Sequence, residues 1–516
     1  MMIGRVHCLV AITSVLLAPS ARAQSGSLPA GPEHDLVAKT CTACHDASMI
    51  SGQHQTAGQW SDTVKQMISN GANVAPADFD KIVAYLAKNF GSSPATTAGG
   101  AAGATPARSK NDPPVYAPII WQRVEGKPID TRYPEKQDDA PDFPGQTHAP
   151  YHATVPYKAT IITDKLVRPW ALQFLPGGRM LITQRMGQMV IVDAKGAITK
   201  LSGVPDVAWE GGQGGLLDVA LDPNFSANHR IFFSYDEPAG PQKDVGRDGA
   251  QSRIVVGRAV LDEPGAALKD LHVVFRSRPA ISVNLYPTKQ GSRIAFDRDG
   301  TMFVTIGDRD STRLQPPAWN VSQELSTHLG KIVHITQDGL PVPGNPFIGV
   351  EDALPEIWAT GTRSQEGLAF DDKGRLWEVE DGPRGGDEVN IIERGKNYGW
   401  PVVTHGIDYP GWVVNMGATH HSGMVDPRYY WDPTIAPSGL TFYYGDLFPA
   451  WKGSLFVGGL HGGLLDRLKI SADDKIVEEE PLLTELNSRI RDVRVGPEGA
   501  IYVLTDTNSL VKVTPK

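Results

Sequence analysis

"RIAFDRDGTMFVTI" (Arg293–Ile306) is an alternating strand, a turn carrying Asp and Gly, and a second strand rich in β-branched and aromatic residues. That order is a β-hairpin signature. The pattern returns five times: "LQFLPGGRMLIT" from Leu172, "VALDPNFSANHRIFFSY" from Val219, "LAFDDKGRLWEVE" from Leu368, "FYYGDLFPAWKGSLFVGG" from Phe442 and "VRVGPEGAIYVLT" from Val493. Spacings of about 50 to 75 residues leave room for about four strands per unit, as in propeller blades. Six units predict an all-β, six-bladed β-propeller over residues 158–516, with a chain of β-sandwiches as the competing arrangement. Loops at one end of a propeller ring a central channel, and function has to be read from those loops rather than from the fold.

The chain has 516 residues, too many for one ordinary core, so a second domain is expected ahead of the repeats. A net charge of -9 and the lack of any basic run argue against nucleic acid as a partner. Residues 1–23 read as an export signal: Arg5, the apolar "CLVAITSVLLA" and the small-residue site "ARA" before Gln24. No later segment is long and apolar enough to span a bilayer, so the expected location is periplasmic or secreted.

Of three cysteines, Cys8 leaves with the signal, and Cys41 and Cys44 form "CTACH" with His45. Two thiols two residues apart and an adjoining histidine are the attachment signal for haem c, with His45 as iron ligand; a simple metal-binding CxxC is the competing reading. In "QWSDTVKQMISNGA", Trp60, Val64, Met67 and Ile68 share a helical face able to pack against a porphyrin. The stretch from Trp60 through "IVAYLAKNFG" (Ile82–Gly91) resembles small bacterial cytochrome c domains, so residues 24–91 are expected to form a small, all-α cytochrome c domain. That resemblance favours Met67 as the second iron ligand over Met49 and His54. "SSPATTAGGAAGATPARS" reads as a flexible linker, continued by a Pro-rich extension to about Tyr157, so that residues 92–157 join the two domains.

Five propeller loops carry polar residues beyond the needs of turns: "GGQGGLLDVALDPNF", "GSRIAFDRDG", "GTRSQEGLAF", "DGPRGGDEVNIIERGKNYGWP" and "NSRIRDV". In this order and spacing, from about Pro169 to the C-terminus, they resemble the soluble quinoprotein glucose and aldose dehydrogenases, which use pyrroloquinoline quinone (PQQ) with Ca2+. The resemblance implies a dehydrogenase that oxidises an aldose, or a related alcohol, from its C1 hydroxyl to the lactone, with hydride passing to PQQ. Electrons would then reach the haem and a downstream acceptor. It places Gln213 close to quinone and sugar, and Arg363, Arg489 and Arg491 on the quinone. Planar guanidinium forks suit a cofactor bearing three carboxylates. Gly382 and Pro383 match the carbonyl pair that holds the catalytic calcium; Glu388, Tyr398 and Asp408 match a second, structural calcium site; Trp431 matches a sugar-lining position. Oxygen donors suit this ion.

The chain departs from the family in two places. The family's catalytic histidine position is Lys289, in "PTKQGSRIAF", and the family's cofactor lysine is His461, in "GGLHGGLLDRL". A free lysine titrates near pH ~10.4 and histidine near ~6.5, so histidine needs almost no adjustment to act as a base. His461 is therefore the expected base and Lys289 the expected cofactor anchor. A haem-tethered propeller that binds carbohydrate or a redox partner without turnover, and a calcium-dependent propeller lactonase, are the rival functions.

Overall fold

The computed structural model describes residues 28–41, 50, 57, 60, 61, 63, 64, 74, 78–91, 119–153, 155–208, 213–239, 251–282, 288–311, 320–408 and 413–516. They fall into two compact units divided near residue 100.

In the N-terminal unit, helices His34–Cys41 and Phe79–Asn89 surround a core of Val37, Trp60, Val64, Ile82, Tyr85, Leu86 and Phe90. The Trp60 indole donates to the Phe90 carbonyl at 3.0 Å, tying the Trp60 segment to the end of the second helix. Cys44, His45, Met67, Met49 and His54 lie outside the described residues, as does the side chain of Cys41.

The second unit is a six-bladed propeller. Each repeated stretch forms the two inner strands of one blade. The innermost strands are Pro169–Phe174, Leu216–Leu221, Gly291–Phe296, Gln365–Phe370, Pro437–Phe442 and Ile490–Val495. Four strands complete each blade except the second, which gains a fifth. The sixth blade takes its outer strand, Tyr157–Thr163, from the start of the unit, paired antiparallel to Leu510–Pro515. That pairing closes the ring, the device by which such sheets keep their edges short and protected. The turns repeat a common geometry: Gly300, Gly374 and Gly499 each adopt a φ near +80° where the hairpin reverses, a conformation L side chains resist.

All six innermost strands break register near their first residues. Such bulges re-aim side chains. Here Arg293 is turned into the channel, where it joins neighbouring blades. Its Nη1 lies 3.1 Å from Asp492 and 3.4 Å from Asp218, and its Nε donates to the Glu366 carbonyl at 2.6 Å. Its guanidinium stands 4.1 Å over the Trp170 ring. The same two carboxylates accept the backbone N–H groups of Ile294 and Leu172 at 2.8 and 2.9 Å.

Residues 119–153, expected from their prolines to extend the linker, instead pack onto blades four and five. Trp121, Ile129, Ala149 and Tyr151 bury their side chains with Trp377, Tyr429 and Leu464. Buried Gln146 accepts from Asp142 N and donates to the Pro427 carbonyl. These apolar anchors outweigh the local preference of proline for extended, unpaired chain.

Replacing Arg293 by Met leaves the buried Asp218 and Asp492 with Arg494 alone, whose Nη1 lies 2.9 Å from Asp492 and whose Nη2 lies 3.8 Å from Asp218. We expect a loss of about 3–5 kcal/mol, read as a lower urea midpoint for the full-length protein; an unchanged midpoint would contradict the axial role of Arg293.

Candidate active site

The loops that enter the innermost strands and the turns between the second and third strands of each blade open at one end of the propeller. Every described propeller residue singled out in the sequence, apart from Glu388, Tyr398, Asp408 and Trp431, lies on them or on the innermost-strand ends they feed. On blade six, Arg489 and Arg491 flank the bulge at the start of Ile490–Val495. Their Nε atoms lie 2.9 and 3.3 Å from the two oxygens of Asp506. Asp506 comes from the turn after the second strand of that blade. Despite the cost of its burial, the Arg491 and Arg489 guanidiniums pull its carboxyl down to about 2. Arg185, on the equivalent turn of blade one, joins the group. Burial first, then Arg168, Arg491 and Arg489, push it down to about 10 against the pull of Asp506. Among the described residues its buried Nε has no hydrogen-bond partner. The sequence reading missed Arg185, although its position in a hairpin turn next to the channel is the available signal. Three guanidiniums, those of Arg489, Arg491 and Arg185, thus gather round the Asp506 carboxylate, so this side of the mouth has room for added negative charge.

Arg363 leads into blade four. Its Nη1 donates to the carbonyls of Asp381 and Gly382 at 2.7 and 2.5 Å, and its guanidinium lies 5.1 Å over Trp400. Trp400 in turn donates to Asp308 at 2.8 Å. The Asp381 carboxyl feels both Arg363 and Arg491, which places the two arginines in one field. Lys289 precedes blade three with a φ of +54°; its backbone N–H donates to Gln213 Oε1 at 2.8 Å and its Nζ lies 2.9 Å from Asp310. Lys289 and Gln213 therefore meet, and the ammonium is engaged with a carboxylate.

Blade four carries the opposite charge. Glu380 and Glu388 are direct cross-strand partners, and Glu378 faces Asn390 one step along the same face. Asn390 donates to Glu388 at 3.1 Å and to Glu378 at 3.3 Å. Burial, then the neighbouring carboxylates, push Glu378 and Glu380 well up, and burial takes Glu388 to about 8. Among the described residues, Glu378 Oε1 and Asn390 Oδ1 are buried without partners. Crowded oxygen donors short of positive charge fit a hard divalent cation. Glu378 and Glu380 also escaped the sequence reading, although "WEVE" places two acids in a strand of five buried residues. Gly382, with Pro383, forms the turn beside this cluster, and the Gly382 N–H is held by Asp387 at 2.8 Å. Tyr398 is buried with its hydroxyl donating to the Ile391 carbonyl at 2.6 Å, so only its main chain remains to serve a cation. Asp408 follows Ile407, which bridges to Arg384 beside Pro383.

His461 is exposed at the rim of blade five, its backbone N–H on the Ile435 carbonyl at 2.7 Å. Partial desolvation, then the Arg132 and Arg489 guanidiniums, hold its imidazole below the usual histidine range, so it is neutral at neutral pH. Trp431 is a correction. Expected beside a sugar, it belongs to the outer strand of blade four and packs in the core, its indole donating to Glu479 at 2.8 Å and Asp466 at 3.1 Å. Its buried N–H needs those acceptors.

Asp506 carries a depressed acidity in the folded state, so its contribution to stability is complete above about pH 4 and is lost as pH falls towards 2. Asp506→Asn should flatten the acid limb of the stability profile between those values, measured by thermal unfolding; an unchanged slope would mean that the arginines do not hold it.

Residues 166–512 match the family model for glucose/sorbosone dehydrogenase. The chain is 41% identical over 362 residues to the aldose sugar dehydrogenase YliI of Escherichia coli, covering 69% of this chain and 92% of that protein. It is 26% identical over 418 residues to quinoprotein glucose dehydrogenase B of Acinetobacter calcoaceticus, covering 67% and 85%. Among solved structures, the PQQ-bound aldose sugar dehydrogenase of Streptomyces coelicolor superposes with a TM-score of 0.55 at 29% identity, over 71% of this chain and all of that one. With six blades in place and a match over most of the propeller, the chain belongs to the glucose/sorbosone dehydrogenase family.

Proposed function

We propose that this protein is an exported, periplasmic quinohaemoprotein that oxidises an aldose or related alcohol at C1 to the lactone. PQQ would be the acceptor, and electrons would pass to a haem c held by Cys41 and Cys44, with His45 and Met67 on the iron, and then to a downstream acceptor. The observation that carries the reading is the surplus of guanidinium over carboxylate around Asp506. A tricarboxylate supplies the charge that this pole lacks. The names of the Escherichia coli and Acinetobacter relatives, and the PQQ-bound Streptomyces structure, support it. When bound, PQQ would supply a two-electron acceptor, and Ca2+ at the Pro383 carbonyl and the Gly382 carbonyl, which here accepts from Arg363, would supply a Lewis acid.

The residues then divide the work. Arg489, Arg491 and Arg185 neutralise the ligand's carboxylates, and Arg363 orients it against Trp400. Lys289, steadied by Asp310, anchors it; Gln213 fixes the Lys289 backbone. His461, neutral at the rim, takes the C1 hydroxyl proton. Glu388, with Glu378 and Glu380, holds the structural Ca2+ behind the Gly382 turn.

Protein loaded with PQQ and Ca2+ should show haem reduction on addition of an aldose. Stable PQQ binding without reduction would leave a binding module, and indifference to PQQ a hydrolase. His461→Ala should lower kcat by about 10²–10⁴-fold, whereas Lys289→Ala should weaken PQQ binding; loss of chemistry only in the Lys289 variant would reject this division. Glu388→Gln should abolish the rise in Tm that Ca2+ gives the wild type.

A further inference from the structure

The segment that packs onto blades four and five lies outside the family-matched residues 166–512, yet it reaches the mouth. Three anchors bring it there. The Trp121 indole donates to the Gly462 carbonyl, next to His461, at 3.1 Å. Arg132 Nη2 donates at 3.2 Å to the Thr434 carbonyl, one residue before the Ile435 carbonyl that holds His461. Glu135 forms an ion pair with Arg384, beside Pro383.

Within it, Arg132 is unusually fixed. Asp130 grips its Nε with both oxygens at 3.0 Å and its Nη2 at 2.6 Å, and its guanidinium stands 5.6 Å from the Trp121 ring. Among the described residues, Nη1 makes no hydrogen bond, and the side chain is 29% exposed. A long side chain held this firmly offers a preorganised, charged donor edge at little further entropic cost. Arg132 and Arg489 are the two guanidiniums that bear most on His461. His461 thus lies in the field of both a cofactor-side arginine and a strap-side arginine.

We propose that Arg132 is a specificity-determining residue, its free Nη1 edge hydrogen-bonding the sugar hydroxyls that face the His461 rim, with Asp130 as its positioning residue. The inference rests on the proposed sugar oxidation for the identity of the ligand, and on the strap's contacts for the location. Hydroxyl-rich substrates suit it, because a charged donor discriminates strongly against ligands that lack the matching acceptor.

The test uses the full-length protein loaded with PQQ and Ca2+, with an aldohexose, an aldopentose and a disaccharide as probes. Sugar binding is followed by calorimetry under conditions without turnover, and kcat and KM with turnover. Arg132→Ala should weaken binding of the best sugar about tenfold and narrow the spread of affinities across the three. KM should rise more than kcat falls. Arg132→Lys should recover little, because a point charge cannot reproduce the fork held by Asp130. The His461 titration, read by NMR, should move upward in Arg132→Ala, which locates the guanidinium independently of any sugar. Unchanged affinities and an unchanged spread in Arg132→Ala would overturn the proposal even if the enzyme turns over. Wild-type binding without oxidation would overturn the proposed reaction and leave the binding test standing, and no binding at all would overturn both.

Discussion

Arg293 is the constraint on which the rest of the propeller depends. One guanidinium on the third blade touches Trp170 of the first, Asp218 of the second, the Glu366 carbonyl of the fourth and Asp492 of the sixth. A propeller has no single core; its blades pack face to face, and a charged group at the axis is expensive unless every partner is present. Here the partners also cap the backbone N–H groups of Leu172 and Ile294. The axis is therefore satisfied by side chains that only the bulges could aim inward.

On that hub the mouth is divided into two poles. Blades six and one contribute Arg489, Arg491 and Arg185 around Asp506, while blade four buries Glu378, Glu380 and Glu388 together. Like charges held close oppose folding locally, and a rigid scaffold is what tolerates them. The same strain favours ligands: an anion at one pole and a divalent cation at the other recover stability through binding to the folded state alone. A quinone carboxylate and a calcium ion are the chemical complements of these two poles.

Much of this was legible in the chain. The six hairpins were visible because strand alternation and turn chemistry are local, and Arg363, Arg489, Arg491 and Gly382 were visible because the loops carrying them resemble those of the family. Arg185, Glu378 and Glu380 were not. Each looks like an ordinary strand or turn residue until a neighbour from another blade or strand reveals the charge it shares. Trp431 misled for the converse reason: an aromatic beside loop residues suggests a binding wall, but the buried acids of blade five claim its N–H.

The sequence by itself determined the number of blades and the hairpin turns, since both depend on local pattern; Lys289, His461, Arg489 and Arg491 stood out only through the family resemblance. Only the tertiary structure decided which charges meet. It gave Lys289 to Asp310, put His461 in the field of Arg132 and Arg489, and folded a proline-rich stretch over blades four and five. The physical reason is common to all three: these contacts join residues from about twenty to more than three hundred positions apart, and electrostatic energy depends on distance through space, which no local pattern records.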